Sequence, residues 1–223
     1  MSERPGERER IALPAVLPIF PLVGVLLLPR GRLPLNIFEP RYLAMTRHAL
    51  MTPTRLIGMI QPSDPSAGGM NPPVYRVGCA GRLTQFSETD DGRFLITLTG
   101  VSRFVITEEL PLLSGYRRVV PEWQHFAADR EPAGEPGFNR DRLVRGLKGY
   151  FGQRRITVDW SAIEKAPGEY LVTSIAMACP FAPSEKQALL EAADLDERAR
   201  LLTALVEMAA LEPGTEDPDG TRH

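Results

Sequence analysis

The segment 17–42, LPIFPLVGVLLLPRGRLPLNIFEPRY, constrains the fold of this chain more than any other feature. It holds two short apolar runs and a later extended stretch, and prolines interrupt it repeatedly. Because proline has no N–H group to donate to a β-ladder, such stretches are confined to strand starts, strand edges and bulges. The continuously apolar run 25–28 has the pattern of a strand that is covered on both faces. We therefore expect short strands whose edges are set by proline.

The second half of this segment predicts a turn, an extended stretch and a helix. Residues 29–31 form the turn, in which Gly31 is free to adopt a positive φ. Residues 33–38 are then extended. Glu39 and Pro40 begin the helix, because proline suits the first helical position and a carboxylate there complements the helix dipole.

The pattern of β-strands continues beyond this helix to about residue 126. The clearest turn is Asp91-Gly92, because Asp-Gly between two extended runs favours a tight hairpin. Gly100 marks a bulge or bend in the strand that follows. The stretch 62–73, rich in Pro, Gly and Ser, is expected to be an exposed loop. The predicted strands are 55–61, 74–87, 94–99, 103–107 and 116–123.

The period of the apolar residues becomes helical after the last of these strands. Residues 127–139 have the composition of a linker, and the apolar stripes beyond it predict four short amphipathic helices that form a bundle. Two capping boxes, beginning at Ser184 and Asp194, mark helix starts. The predicted organisation is a disordered N-terminus at 1–12, a β domain at 13–126, the linker, a helical bundle at 140–211 and a disordered tail at 212–223.

Five stretches in this order resemble the Lon N-terminal domain family, which is the substrate-binding module at the front of the ATP-dependent Lon protease. They are LPIFPL, LPLNIFEPRY, RLIGMIQP, YRVGCAGRLTQF and DDGRFLITLTGVSRFVI. The resemblance covers residues 13–123 through these motifs and extends more loosely to residue 211. It is closest to short bacterial members that carry this domain without the rest of the protease.

The resemblance implies both a fold and a function. The implied fold is α+β, with a PUA-like β-rich domain, built as a twisted sheet or pseudo-barrel with one helix, followed by a small α-helical bundle. The implied function is a non-catalytic module that binds unfolded polypeptide or a partner protein, with a link to protein quality control or proteolysis. The sequence does not identify the partner or the oligomeric state.

The sequence contains none of the signatures that would make the chain an enzyme. There is no G-x-x-x-x-G-K-[ST] phosphate loop and no segment that matches a Ser–Lys protease domain. Ser184 and Lys186 are close in sequence, but Ser184 is explained as a helix cap. His48, His125 and His223 are widely separated, and no H-E-x-x-H or C-x-x-C occurs. We expect no catalytic residue, no cofactor and no metal site.

Composition gives expectations about the partners and the location of the chain. The formal net charge of −2 gives no general reason for binding to nucleic acid or to an anionic membrane. No apolar stretch approaches the ~20 residues that a membrane helix requires, so a cytoplasmic protein is expected. Cys79 and Cys179 are interpreted as buried thiols and not as a disulfide. Only three of the 26 basic residues are lysines, which fits either anion recognition by arginine or a GC-rich genome.

Two regions are candidate peptide-binding sites. Asn36, Glu39, Arg41 and Tyr42 lie where the extended stretch turns into the first helix, and they could form the rim of a peptide groove. The alternative is structural: Glu39 caps the helix, Asn36 satisfies turn backbone, and Arg41 pairs with Glu39. Met70, on the loop rich in Pro, Gly and Ser, is suited to adaptable apolar recognition, although a plain solvated loop is the simpler reading.

Two other functions compete with polypeptide binding. The first is RNA binding by the PUA-like domain, which requires a basic stripe and steep salt dependence. The second is an uncharacterised hydrolase with a pocket that converges on Cys179 or on a histidine. The arginines that could form the basic stripe are Arg76, Arg82, Arg93, Arg103, Arg117 and Arg118.

Overall fold

The computed structural model describes residues 13–64, 67, 69, 71–131 and 137–211. The predicted disordered ends, 1–12 and 212–223, lie outside these residues. The described chain contains one six-stranded sheet and seven helices, which confirms the α+β class. The strands are β1 Leu17–Pro21, β2 Arg32–Ile37, β3 Leu56–Ile60, β4 Val77–Glu88, β5 Phe94–Leu113 and β6 Tyr116–Glu122. The helices are α1 Pro40–Leu50, a 3-10 helix Gln124–Arg130, α2 Arg140–Gln153, α3 Trp160–Lys165, α4 Gly168–Ala178, α5 Pro183–Glu191 and α6 Leu195–Ala209.

Five of the strands close into a barrel. The strand order is β2-β5-β4-β3-β1-β6, and β6 also pairs with β5, so that β5, β4, β3, β1 and β6 form a closed ring. All pairings are antiparallel except that of β1 with β3. The long strand β5 makes this possible, because one side of it pairs with β4 while the other pairs first with β2 and then with β6. The strand β2 therefore stands outside the ring.

The predicted hairpin and bulge are both confirmed. Gly92 adopts a φ of 78° in the turn between β4 and β5, as the Asp-Gly signal requires. The pairing of these strands shifts register between Ala80 and Gly81, next to Gly100 on the partner strand. A side chain at Gly100 would meet backbone, since an added Cβ would lie 1.9 Å from the carbonyl oxygen of Leu28. Gly100 therefore lets residues 28–31 cross close to β5.

Two predictions in the opening segment were wrong. Residues 25–28 form no strand, although Leu26, Leu27 and Leu28 are buried. Both sides of β1 and of the other ring strands are already paired, so this apolar run packs into the core as irregular chain. In the following turn the positive φ belongs to Arg30, at 64°. Gly31 is needed for a different reason, because an added Cβ there would clash with the Met177 sulfur at 2.2 Å.

The helical region has five helices and not the predicted four. The additional helix, α3, is six residues long, and only Trp160 and Ile163 pack against the core, which is too short a pattern to show a helical period. The Asp194 cap is confirmed, because its carboxylate accepts a hydrogen bond from the N–H of Glu197 at 2.8 Å. The Ser184 cap was wrong: α5 begins at Pro183, and Glu185 accepts from the N–H of Ala182 instead. Proline at the first helical position displaces the expected start by two residues.

The barrel and the helices share one hydrophobic cluster. It includes Phe20 and Leu83 from the barrel together with Leu143 and Leu202 from the helices. A second cluster, around Phe104, fills the interior of the barrel. Polar contacts also cross the junction, since the Lys186 ammonium donates to the Gly24 carbonyl at 2.7 Å and the Gln187 amide donates to the Val77 carbonyl at 3.1 Å. The division of the chain into a β domain at 13–126 and a helical bundle at 140–211, joined by a linker at 127–139, stays a prediction.

Candidate functional site

A groove of about 530 Å³ lies between residues 30–34 and α4; we call it the edge groove. Its apolar lining includes Leu33, Tyr170 and Met177. Tyr170 is 66% exposed, so most of this residue is available for contact with a ligand. The ion pair between Arg30 and Glu169 spans the groove, and Arg30 also donates to the Glu131 carbonyl.

The edge groove flanks the open side of β2. Its lining residues on the sheet all come from 30–34, and no described residue of β5 contributes, although β5 runs directly beside β2. A depression on the face of the sheet would include both strands. The groove therefore lies at the side of β2 that faces away from β5.

A second, shallower depression of about 580 Å³ covers the outer face of the sheet; we call it the sheet depression. It is lined by residues 34–36 of β2, 85–87 of β4 and 95–97 of β5. Leu95 and Phe86 are both close to half-exposed in it. Pro34 lines both the edge groove and the sheet depression, so the two surfaces are continuous across β2. Together they form a partly apolar surface of the kind that binds other proteins.

The residues predicted as a site at the start of α1 have different surroundings in the structure. Asn36 is exposed and lines the sheet depression. Glu39 occupies the cap position, but its side chain makes no cap hydrogen bond, contrary to the structural alternative. Its carboxylate pairs with Arg41 at 2.9 Å, as that alternative expects. Tyr42 is only 6% exposed and packs against Phe20 with ring centroids 4.2 Å apart. Burial raises the pKa of the Tyr42 hydroxyl.

These placements leave Asn36 as the member of that group on a candidate surface. Met70 lies outside the described residues. A peptide-binding role for any of the five residues stays a prediction, and the contacts of Tyr42 are those of a core residue.

Most of the arginines considered for RNA binding are engaged in contacts within the protein. Three of them are paired with carboxylates, in the pairs Arg93–Asp91, Arg103–Asp129 and Arg117–Glu109. Arg103 and Arg117 are also buried. Two more donate to backbone carbonyls, those of Ile106 and Pro111. Ion pairing or burial leaves Arg93, Arg103 and Arg117 with little to offer phosphate groups, so half of the six arginines are unavailable and RNA binding is not favoured.

The two cysteines and His48 lie in surroundings that are typical of structural residues. Cys79 and Cys179 are free and buried, as expected from the sequence. Burial raises the pKa of the Cys179 thiol to about 11, so it is protonated at neutral pH and a poor nucleophile. His48 is half-buried and forms a hydrogen bond with the Tyr116 hydroxyl at 2.8 Å.

The described residues form neither a cluster of metal ligands nor a membrane-spanning helix. No group of three or more His, Cys, Asp or Glu side chains there is placed to hold a metal ion. Among the same residues, no helix is long and apolar enough to cross a bilayer.

The edge groove was missed by sequence reasoning. Its two walls are separated by more than a hundred residues in the sequence, and nothing in either segment indicates the other. The one local signal was Pro34, which is typical of an edge strand.

The closed barrel followed by a helical bundle is the fold of Lon N-terminal domains. The structure is similar to that of a Lon N-terminal domain protein from Xanthomonas campestris, with a TM-score of 0.60 and 21% identity over 85% of this chain and 97% of that one. It is also similar to the N-terminal domain of a Lon protease from the Mycobacterium avium complex, with a TM-score of 0.60 and 16% identity over 86% and 97%.

The sequence matches the same class of protein. The family model of the ATP-dependent protease La (LON) substrate-binding domain covers residues 16–207, and the chain belongs to that family. Lon protease 2 of Myxococcus xanthus is 24% identical over 210 residues, which are 91% of this chain, and the Lon protease of Elusimicrobium minutum is 28% identical over 90% of it. The chain spans about a quarter of the length of these relatives. The matched family is that of a substrate-binding domain and not of a catalytic domain.

Proposed function

We propose that the chain is a non-catalytic module that binds polypeptide segments in the edge groove. The observation that carries this proposal is the position of Tyr170, an exposed aromatic side chain beside the open edge of β2. Aromatic residues in concave apolar sites supply much of the energy of protein recognition. Membership of the Lon substrate-binding family supports a polypeptide as the ligand.

The link to proteolysis is part of the same proposal. The relatives are Lon proteases about four times as long as this chain, so recognition in this chain would serve cleavage carried out by other protein segments. The high pKa of Cys179 supports a role without catalysis, because this thiol is not activated.

The proposal is tested by fluorescence anisotropy with labelled, reduced and carboxymethylated α-lactalbumin, a permanently unfolded polypeptide. Two variants of the full chain alter the edge groove: Tyr170→Ser removes its aromatic side chain, and Ser174→Arg fills part of it. We expect each to weaken binding about tenfold, since loss of an aromatic contact in a binding site costs more than 1 kcal/mol.

Met208→Ser is the matched control. Met208 is an apolar residue of α6 that is 61% exposed and lies outside the edge groove. It should leave the affinity unchanged. Equal affinity of all four proteins would refute the site, and binding of single-stranded RNA in preference to the unfolded polypeptide would refute the function.

A further inference from the structure

The strand β2 is the one described strand of the sheet that pairs on a single side. Each of the other strands has two partners, because β5, β4, β3, β1 and β6 close into a ring. The strand β2 pairs only with β5, from Arg32 opposite Thr99 to Ile37 opposite Phe94. One side of its backbone is thus open, and the edge groove runs along that side.

The register identifies which backbone groups point into the open side. Gly100 donates to the carbonyl of Gly31 and accepts from the N–H of Arg30, so the carbonyl of residue 31 points toward β5. Along an antiparallel ladder, the backbone groups of every second residue point toward the same partner strand. Residues 33, 35 and 37 therefore bond β5, while the N–H and C=O groups of Arg32 and Asn36 and the C=O of Pro34 point away from it.

Proline at position 34 fits this geometry. Its missing N–H falls on the open side, where it costs β2 no hydrogen bond to β5. The open edge consequently presents three carbonyl acceptors but only two N–H donors, at Arg32 and Asn36. Pro34 also limits uncontrolled pairing with other edges, which is a common protection of exposed strands.

The side chains beside this edge define the segment that would fit. Tyr170 and Met177 offer apolar contacts across the edge groove. Arg30 is neutralised by Glu169, whereas Arg32 donates only to the Gln85 amide oxygen at 3.3 Å and has no ion-pair partner among the described residues. Because Gln85 belongs to β4, this contact places the Arg32 guanidinium over the face of the sheet, toward the sheet depression that Gln85 lines. This one charge without an ion-pair partner favours an acidic side chain in the part of the ligand that lies near it.

We propose that the ligand binds by strand addition: an extended polypeptide segment, apolar toward α4 and carrying an acidic side chain near Arg32, pairs with the open edge of β2. Alternating N–H and C=O groups along an edge are matched by another polypeptide backbone, which gives affinity with little dependence on sequence. This inference rests on the proposed function and specifies how the segment is held.

The first test changes the number of donors on the edge. Pro34→Ala adds an N–H group to the open side and should tighten binding of carboxymethylated α-lactalbumin about fivefold, the value of one net hydrogen bond. Asn36→Pro removes an outward N–H without touching the ladder to β5 and should weaken binding by a similar factor. Pro53→Ala, at an exposed position outside β2, should leave the affinity unchanged. Asn36→Ala removes the same side chain but keeps the N–H, so Asn36→Pro should bind more weakly than Asn36→Ala.

The second test reads the backbone directly. Residue-resolved amide hydrogen exchange should show slower exchange at Arg32 and Asn36 when the probe is bound, while Leu33 and Leu35 are already protected by β5 in the free protein. This readout does not depend on any substitution, so it holds even where Asn36→Pro disturbs folding.

The outcomes separate this inference from the proposed function. If the edge variants bind like the wild type, and exchange at Arg32 and Asn36 does not slow, strand addition is overturned. Loss of binding by Tyr170→Ser would still support the edge groove as the site in that case. Failure of the wild-type chain to bind the probe at all would overturn both.

Discussion

The most consequential single residues are two arginines buried where the barrel meets the helices. Arg103 pairs with Asp129 at 2.8 Å and also donates to backbone carbonyls at the C-terminal end of α5. Arg198 donates to the Leu189 carbonyl at 2.9 Å, and burial lowers its pKa to about 10. Two cations therefore share one carboxylate and the negative end of a helix dipole.

Removal of that carboxylate should be severe. Asp129→Ala leaves Arg103 buried without its ion-pair partner, and we expect a loss of about 3–5 kcal/mol in the free energy of unfolding. Urea denaturation followed by circular dichroism measures this loss. The matched control is Asp91→Ala, which breaks the half-exposed pair with Arg93 and should cost far less, because solvent screens that pair. Equal losses in the two variants would show that the buried pair contributes no more than the surface pair.

At the scale of elements, the sequence predicted turns and helix starts that depend on a few adjacent residues. Asp91-Gly92 and the Glu39-Pro40 helix start were both predicted, because turn and helix-start preferences depend on a few adjacent residues. The run 25–28 was misread as a strand, since its burial comes from long-range packing that periodicity does not reveal. Helix α3 was missed because six residues are too few to show a helical period.

Gly100 shows how one element depends on another that is distant in sequence. Gly100→Ala would place a methyl group against the backbone of Leu28, where no side chain can move aside, so a loss of about 3 kcal/mol in unfolding free energy is expected. Gly152→Ala on α2 is the control, because an added Cβ there meets nothing within 4 Å. It should be neutral or stabilise the chain by up to ~1 kcal/mol. Thermal unfolding of both variants checks the difference, and a stable Gly100→Ala variant would contradict the close approach.

At the scale of the whole molecule, the candidate site could not be predicted. The candidates from the sequence were Asn36, Glu39, Arg41, Tyr42 and Met70. Of these, Tyr42 is a core residue, because an aromatic side chain next to a helix start can be buried or exposed. The edge groove arises only when α4 is brought beside β2 by the shared hydrophobic cluster. The edge itself arises from ring closure, which leaves β2 as the strand with an open side. Both are consequences of tertiary structure.

The same ring and cluster predict that the barrel and the helices unfold together. Strand β3 connects them, because Ile57 and Met59 belong to the shared cluster while Leu56 and Ile60 belong to the barrel interior. Neither cluster can open without disturbing that strand. The two tryptophans report on the two regions: Trp123 packs against Phe104 of the barrel interior, and Trp160 begins α3.

Single-tryptophan variants test this coupling. In Trp160→Phe the remaining tryptophan is Trp123, which reports on the barrel. In Trp123→Phe it is Trp160, which reports on the helices. In each variant, fluorescence and far-ultraviolet circular dichroism should give the same urea midpoint, since a single cooperative unit shows coincident transitions. Comparing the two signals within one variant removes any effect of the substitution on stability. If Trp160 fluorescence changed at lower urea than the dichroism of the same variant, the helices would unfold separately, and the edge groove would be lost before the barrel.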